Sequence, residues 1–136
     1  MNVLGINHIA LVVADVDRTR RFYADVLGLE EVPRPESFTF PGAWLRRGSF
    51  ELHIVGEAEA GRAATLQPTY YERELRRGYL PHFAFEVADL DAARAHLARL
   101  DIPIVGGPQH RGDDVVQLYI RDPDGHVIEL FDRSAA

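Results

Sequence analysis

Short runs of alternating polar and apolar residues punctuate this chain, joined by segments whose apolar positions recur at helical spacing. From Ile6 to Val13, Ile9, Leu11 and Val13 share one face and Ile6, His8, Ala10 and Val12 the other, the period-two pattern of a strand. Val16, Phe22, Tyr23 and Val26 then line one side of a helix that Asp15 or Asp17 can cap and that Gly28 ends after Leu27. Leu29 to Phe40 is an irregular strand broken by Pro33 and Pro35, Pro41-Gly42 a turn, and Ala43–Arg47 with Ser49–Val55 a hairpin around Gly48. The pattern restarts with a strand at Leu80–Val87 and a helix at Leu90–Leu100. A strand at Ile102–Val105 follows, bent by Gly106-Gly107-Pro108, then a hairpin of Val115–Arg121 and His126–Phe131 around Asp122-Pro123-Asp124-Gly125.

The element order is βαβββ twice, and the residues repeat too. Moved by 74 positions, His8 falls on His82, and eight of the nineteen positions from His8 to Val26 are identical. A repeat of this kind outranks local signals. It predicts an α+β fold of two βαβββ modules, residues 3–56 and 79–133, pairing as half-barrels within one domain of residues 1–136. Residues 57–78 read as a linker with a short helix at Tyr70–Arg77. That linker is either a solvated connector or a lid whose arginines, Arg62, Arg73, Arg76 and Arg77, meet an anionic substrate.

Composition narrows the function. A net charge of −6 argues against a nucleic-acid surface or an anionic membrane. No apolar run approaches the roughly 20 residues that span a bilayer. Met1–Val13 has neither a basic n-region nor a small-residue cleavage site, so no signal peptide is expected and the cytoplasm is the default location. The absence of cysteine removes disulfides, thiolate metal sites and cysteine nucleophiles together.

Candidate chemistry gathers on one face of the strands. Phe50, Leu52 and Ile54 alternate against Glu51, His53 and Val55, and Ile128 and Leu130 against Val127, Glu129 and Phe131. With the apolar faces under the helices, His8, Glu51, His53, His82 and Glu129 point to the opposite, concave face, and the paired histidines suggest one site shared by the two halves. Ionisable groups on a partly apolar surface call for compensation, and one divalent cation per site would supply it. Nitrogen and oxygen donors suit Zn²⁺, Ni²⁺, Co²⁺, Fe²⁺ or Mn²⁺ without choosing among them. Two histidines and one carboxylate suit iron chemistry on O₂, whereas a second carboxylate suits a Lewis acid that stabilises an enolate. Aligning Ser49-Phe50-Glu51-Leu52 on Val127-Ile128-Glu129-Leu130 makes Glu51 the mate of Glu129. His96, on a helix, and His126, in a turn, read as surface residues, and His110 as a loop residue outside the site.

Four stretches resemble the vicinal oxygen chelate superfamily, which includes glyoxalase I, extradiol dioxygenases, fosfomycin resistance transferases and bleomycin resistance proteins. They are Asn7 to Asp15, Phe22 to Leu29, His82-Phe83-Ala84-Phe85 and Asp122 to Leu130. The resemblance implies a glyoxalase-like fold and a metal site at His8, His82 and Glu129. For the fourth ligand, glyoxalase I enzymes imply Glu51. A glyoxalase I-like subgroup, similar in Arg34 to Phe38, Gly42 to Leu45 and Leu52 to Val55, implies His53. The implied activity is that of a divalent-metal lyase or isomerase, in which Glu129 or Glu51 moves a proton while an enediolate of a small oxygen-bidentate substrate is stabilised. One alternative is a single-domain extradiol-type dioxygenase, for which Tyr119, ten residues before Glu129, matches an active-site tyrosine. The other is a non-enzymatic small-molecule or antibiotic-binding protein, although bleomycin-binding members lack the metal residues. Glutathione-binding residues of true glyoxalase I are not recognisable. Small members of the superfamily dimerise, which implies a homodimer.

Overall fold

The first strand, β1, runs His8–Val13 and starts at the histidine itself. A computed structural model describes residues 1–134, so Ala135 and Ala136, which close the expected domain, lie outside the described residues. The chain divides into two units, Met1–Gln67 and the remainder from Pro68. Among the described residues no helix is long and apolar enough to cross a membrane.

In the first unit, β1 leads into helix α1, Val16–Leu27. The Asp15 carboxylate caps it by accepting from Arg18 N at 2.9 Å, and Gly28, at φ 68°, closes it in the left-handed conformation that a residue with a Cβ resists. Strands β2 (Glu30–Val32), β3 (Gly42–Arg47) and β4 (Phe50–Gly56) complete a sheet in the order β1-β4-β3-β2, with β1 parallel to β4 and the other pairs antiparallel. Helix α1 packs on β3 and β4. Ala43, Leu45, Leu52 and Ile54 are buried with Val13 and Tyr23, while Trp44, Arg46, Glu51 and His53 take the other face, as the alternation predicts. A short helix, α2 (Arg62–Thr65), follows. Its Gly61 and Ala63 amides donate to the Glu57 carboxylate at 3.0 and 2.8 Å.

The second unit opens on α3, Glu72–Arg77, and then repeats the order with β5 (Phe83–Glu86), α4 (Leu90–Arg99), β6 (Gly106–His110), β7 (Val116–Arg121) and β8 (Val127–Asp132). The sheet order is β5-β8-β7-β6, with β5 parallel to β8. Asp89 caps α4, and the Leu90 amide donates to the buried Asp132 of β8 at 3.1 Å, tying helix to sheet.

Two expectations shift. The strand expected to open at Ile102–Val105 runs instead over Gly106–His110, and Gly106-Gly107-Pro108, expected to bend it, lies inside the pairing, where the register shifts between Gly106 and Gln109. The stretch before Gly78 is also more than a connector. Leu75 is buried with Tyr119 and Val127, and Tyr70 and Leu80 pack against them. The Tyr70 hydroxyl donates to Gly125 O at 2.8 Å. Apolar residues spaced too widely to signal a strand or long helix are what fix this segment to the second sheet.

Candidate metal and substrate site

In the first unit three rings stack on the face opposite α1. Trp44 lies 4.0 Å from His53 with 2° between planes, and His53 lies 3.9 Å from His8 with 16°. The register explains the stack: Trp44 is opposite His53 across β3 and β4, and His8 is opposite Glu51 across β1 and β4. His53 Nε2 faces Glu51 Oε2 at 2.9 Å. Arg46, the cross-strand partner of Glu51, donates to Glu51 Oε1 through Nη2 at 2.6 Å and Nε at 3.1 Å. The hydrogen bond from His53, and then that from Arg46, holds the Glu51 carboxyl below the usual carboxylate range. His8 Nδ1 lies 2.7 Å from Asn7 Oδ1.

In the second unit Glu129 is buried, and its two oxygens are held differently. Oε2 lies 2.9 Å from His82 Nε2, and Oε1 accepts from Arg111 Nη1 at 3.0 Å. His82 donates from Nδ1 to Leu80 O at 2.8 Å. Arg111 also binds Asp113, with contacts of 2.8, 3.0 and 3.2 Å, and holds that carboxyl below its usual value. Tyr119, opposite Glu129 across β7 and β8, turns its ring edge to His82 at 5.4 Å. Its hydroxyl lies against Gly78, where any Cβ would collide with it, so this glycine is required by close approach as well as by its φ of +71°. A pocket of about 450 Å³ opens here, lined by Arg77, His82, His110, Arg111, Tyr119 and Glu129 among others. Gln117 also lines it, and its buried Oε1 has no hydrogen-bond partner among the described residues.

Burial, and after it the Glu129 charge, pushes the Tyr119 phenol up to about 12. An unfolded tyrosine titrates near 10. The folded chain therefore holds this proton longer, so stability present below about pH 10 is expected to drain away as pH rises toward 12. Phenolate absorbance followed against unfolding checks this, and Tyr119→Phe should abolish the alkaline loss.

Residues 5–130 match the family described as the Glyoxalase/Bleomycin resistance protein/Dioxygenase superfamily. The chain belongs to that superfamily. It is 27% identical over 131 residues to Glyoxylase I 4 of Arabidopsis thaliana, covering 96% of this chain and 71% of that one. It is 30% identical over 136 residues to the metallothiol transferase FosB of Shouchella clausii, covering 94% and 80%. The solved structure of a glyoxalase/dioxygenase from Nostoc punctiforme superposes with a TM-score of 0.74 at 27% identity, over 96% of this chain and 92% of that one. The two four-stranded mixed sheets are thus the superfamily's fold.

Within this superfamily fold the two repeats are not equivalent at the site. Ala10 pairs with His53 in the first unit, and its repeat mate Ala84 pairs with Glu129 in the second. Trp44 faces His53 just as Tyr119 faces Glu129. The sheet position of Glu129 therefore belongs to His53 and not to Glu51, a slip of two residues from the linear alignment that keeps every side chain on its face. His8, Glu51 and His53 come together in one unit, and His82, Tyr119 and Glu129 in the other. Among the described residues no three or more His, Cys, Asp or Glu side chains form a group that could hold a metal ion. His110, expected outside the site, lines the pocket. His126, expected at the surface, pairs with buried Asp122 at 2.7 Å.

Sequence reasoning passed over Arg46, Trp44 and Arg111. The first two carried a signal, since hairpin pairing around Gly48 sets Arg46 opposite Glu51 and Trp44 opposite His53. Arg111 had none, because it reaches Glu129 from the loop after β6.

Proposed function

We propose that this chain is a divalent-metal-dependent lyase or isomerase resembling glyoxalase I and acting on a small substrate with adjacent oxygens. The observation that carries the reading is the environment of His82. A neutral imidazole has one ring hydrogen, and here Leu80 O takes it at Nδ1. Nε2 then presents a lone pair to the lone pairs of Glu129 Oε2, 2.9 Å away. A cation answers both at once, and adjacent ligands about 2.1 Å from one ion stand at close to this separation. The second-unit pair therefore fits a metal, with the Leu80 carbonyl as the outer partner that fixes the ring. The proposed ligands of the second unit are His82 and Glu129, and His8, Glu51 and His53 are the candidates that the first unit brings together.

When bound, such an ion supplies Lewis-acid polarisation of a substrate carbonyl. The chain's own groups supply the rest. Glu129 is the carboxylate proposed to move a proton between neighbouring substrate carbons, and Arg111 orients it through Oε1. Tyr119, kept un-ionised up to about 12, donates its hydroxyl to a substrate oxygen. Exposed Val3, Leu4 and Ile6 ahead of β1 support the homodimer reading.

The test pairs metal content with turnover. About one metal per chain, together with conversion of the methylglyoxal–glutathione adduct on addition of Zn²⁺, Ni²⁺, Co²⁺, Fe²⁺ or Mn²⁺, is the expected result. No turnover with any of them removes the glyoxalase I version. The placement of Tyr119 opposite Glu129 and edge-on to His82 favours the dioxygenase as second reading, and oxygen uptake with a catechol under Fe²⁺ would move it ahead.

A further inference from the structure

We infer that the pocket beside Glu129 takes a small hydroxy acid: Gln117 accepts a hydrogen bond from the ligand's hydroxyl, and Arg77 meets its carboxylate. The inference rests on the reading of this pocket above and names its ligand, and both residues belong to the second unit.

Gln117 is the first observation. It stands on β7 two residues before Tyr119, on the same face of the sheet. It is 4% exposed, yet it lines the pocket. The neighbouring strands set Phe131 and Gln109 opposite it. Its buried Oε1 nonetheless has no donor among the described residues. An unsatisfied buried carbonyl oxygen is costly, and a donated hydrogen bond recovers that cost. A ligand hydroxyl in the pocket supplies one. An ether oxygen in the same place cannot, because it only accepts.

Arg77 is the second observation. Of the four arginines between residues 57 and 78, three are engaged elsewhere. Arg62 donates to Thr65 Oγ1 at 2.9 Å, Arg73 lies over the Tyr71 ring at 4.8 Å, and Arg76 pairs with Glu72 at 2.6 Å. Arg77 is the one of the four that lines this pocket. Gly78 brings it there, since this glycine ends α3 at φ +71° against the Tyr119 hydroxyl. The pocket's other arginine, Arg111, is shared between Asp113 and Glu129. A guanidinium presents a planar fork of donors that matches a carboxylate. One ligand bearing a hydroxyl and a carboxylate therefore answers both residues, and Gln117 and Arg77 are its specificity determinants.

The test uses the full chain with a chelator present, so that neither metal nor turnover enters. In proton–nitrogen shift titrations, lactate should move the side-chain signals of Gln117 and Arg77. 2-Methoxypropanoate keeps the carboxylate without a hydroxyl hydrogen and should bind about 10-fold more weakly. Methyl lactate keeps the hydroxyl without the charge and should also bind about 10-fold more weakly. Gln117→Met, close in length, should bind lactate and its ether alike. Arg77→Ala should bind lactate and its ester alike. A second arm needs no ligand: Gln117→Met removes the orphan oxygen, so it should melt no lower than wild type. A methionine variant that melts several degrees lower would show the amide to be satisfied in the free protein and would overturn its role, as would equal binding of lactate and its ether by wild type. Equal binding of lactate and its ester by wild type overturns the role of Arg77. Absence of lactate binding sinks the whole inference while metal content and turnover stand. Absence of metal or turnover sinks the lyase reading while these comparisons stand.

Discussion

Glu129→Gln is expected to abolish turnover and cut metal affinity by at least about 100-fold, the loss that removal of even an outer-shell partner can cause, while leaving the fold in place. The change is close to isosteric at a buried position opposite Tyr119 in the β7–β8 pairing. Arg111 is not left without an anion, because Asp113 holds it through three further contacts. What is lost is the negative charge facing His82 Nε2. An amide is a weak ligand for a divalent ion and a poor proton carrier.

The same variant has a second readout that does not depend on turnover. Part of what raises the Tyr119 phenol is the Glu129 charge, so Glu129→Gln should bring its titration down from about 12. It should stop above the ordinary value near 10, because burial is the larger cause. Metal content, steady-state kinetics and an alkaline absorbance titration on one preparation measure all of this. A Glu129→Gln chain that keeps one metal and wild-type turnover would refute the assignment of Glu129.

Much of the scaffold was legible because its signals are local. The alternation of Leu52 and Ile54 with Glu51 and His53 showed which side chains share a face, and the repeat of His8 in His82 exposed the βαβββ order. Register was not legible. The pairing of β1 with β4 and of β5 with β8 is made across a helix and two strands, and no adjacent residue records where the returning strand stops. A linear match could therefore set Glu51 on Glu129 while the sheets set His53 there. Long-range side-chain partners were hidden for the same reason. Arg111 on Glu129 and Tyr70 on Gly125 are separated by 18 and 55 residues. Helix α3 was visible, but its packing through Leu75 was not, because one leucine among arginines and glutamates gives no period.

Asp122→Ala is expected to destabilise the chain by about 3 kcal/mol, or roughly 10 °C in Tm, from a position outside the site. Asp122-Pro123-Asp124-Gly125 reads as a turn on the strength of its proline and glycine, but the carboxylate is what holds it. The Asp122 side chain is fully buried. Its Oδ1 accepts from Asp124 N and His126 N, each at 2.9 Å, and its Oδ2 pairs with His126 Nδ1 at 2.7 Å. Alanine removes all three interactions, and each loss at a buried position costs about 1–3 kcal/mol before relaxation recovers some of it. Asp122→Asn keeps an acceptor for the two amides and gives up the charge at His126, so it should fall between wild type and alanine. Thermal and urea unfolding of the three proteins measure the series. The effect should also reach the site. The Asp122 N to His126 O bond, at 3.0 Å, closes the β7–β8 hairpin three residues before Glu129, which stands opposite Tyr119 in that pairing. A loosened turn should therefore weaken metal binding together with stability, whereas Glu129→Gln weakens metal binding and turnover while leaving the fold in place. If Asp122→Ala unfolds within about 0.5 kcal/mol of wild type, the range of an ordinary surface change, the carboxylate does not anchor this hairpin.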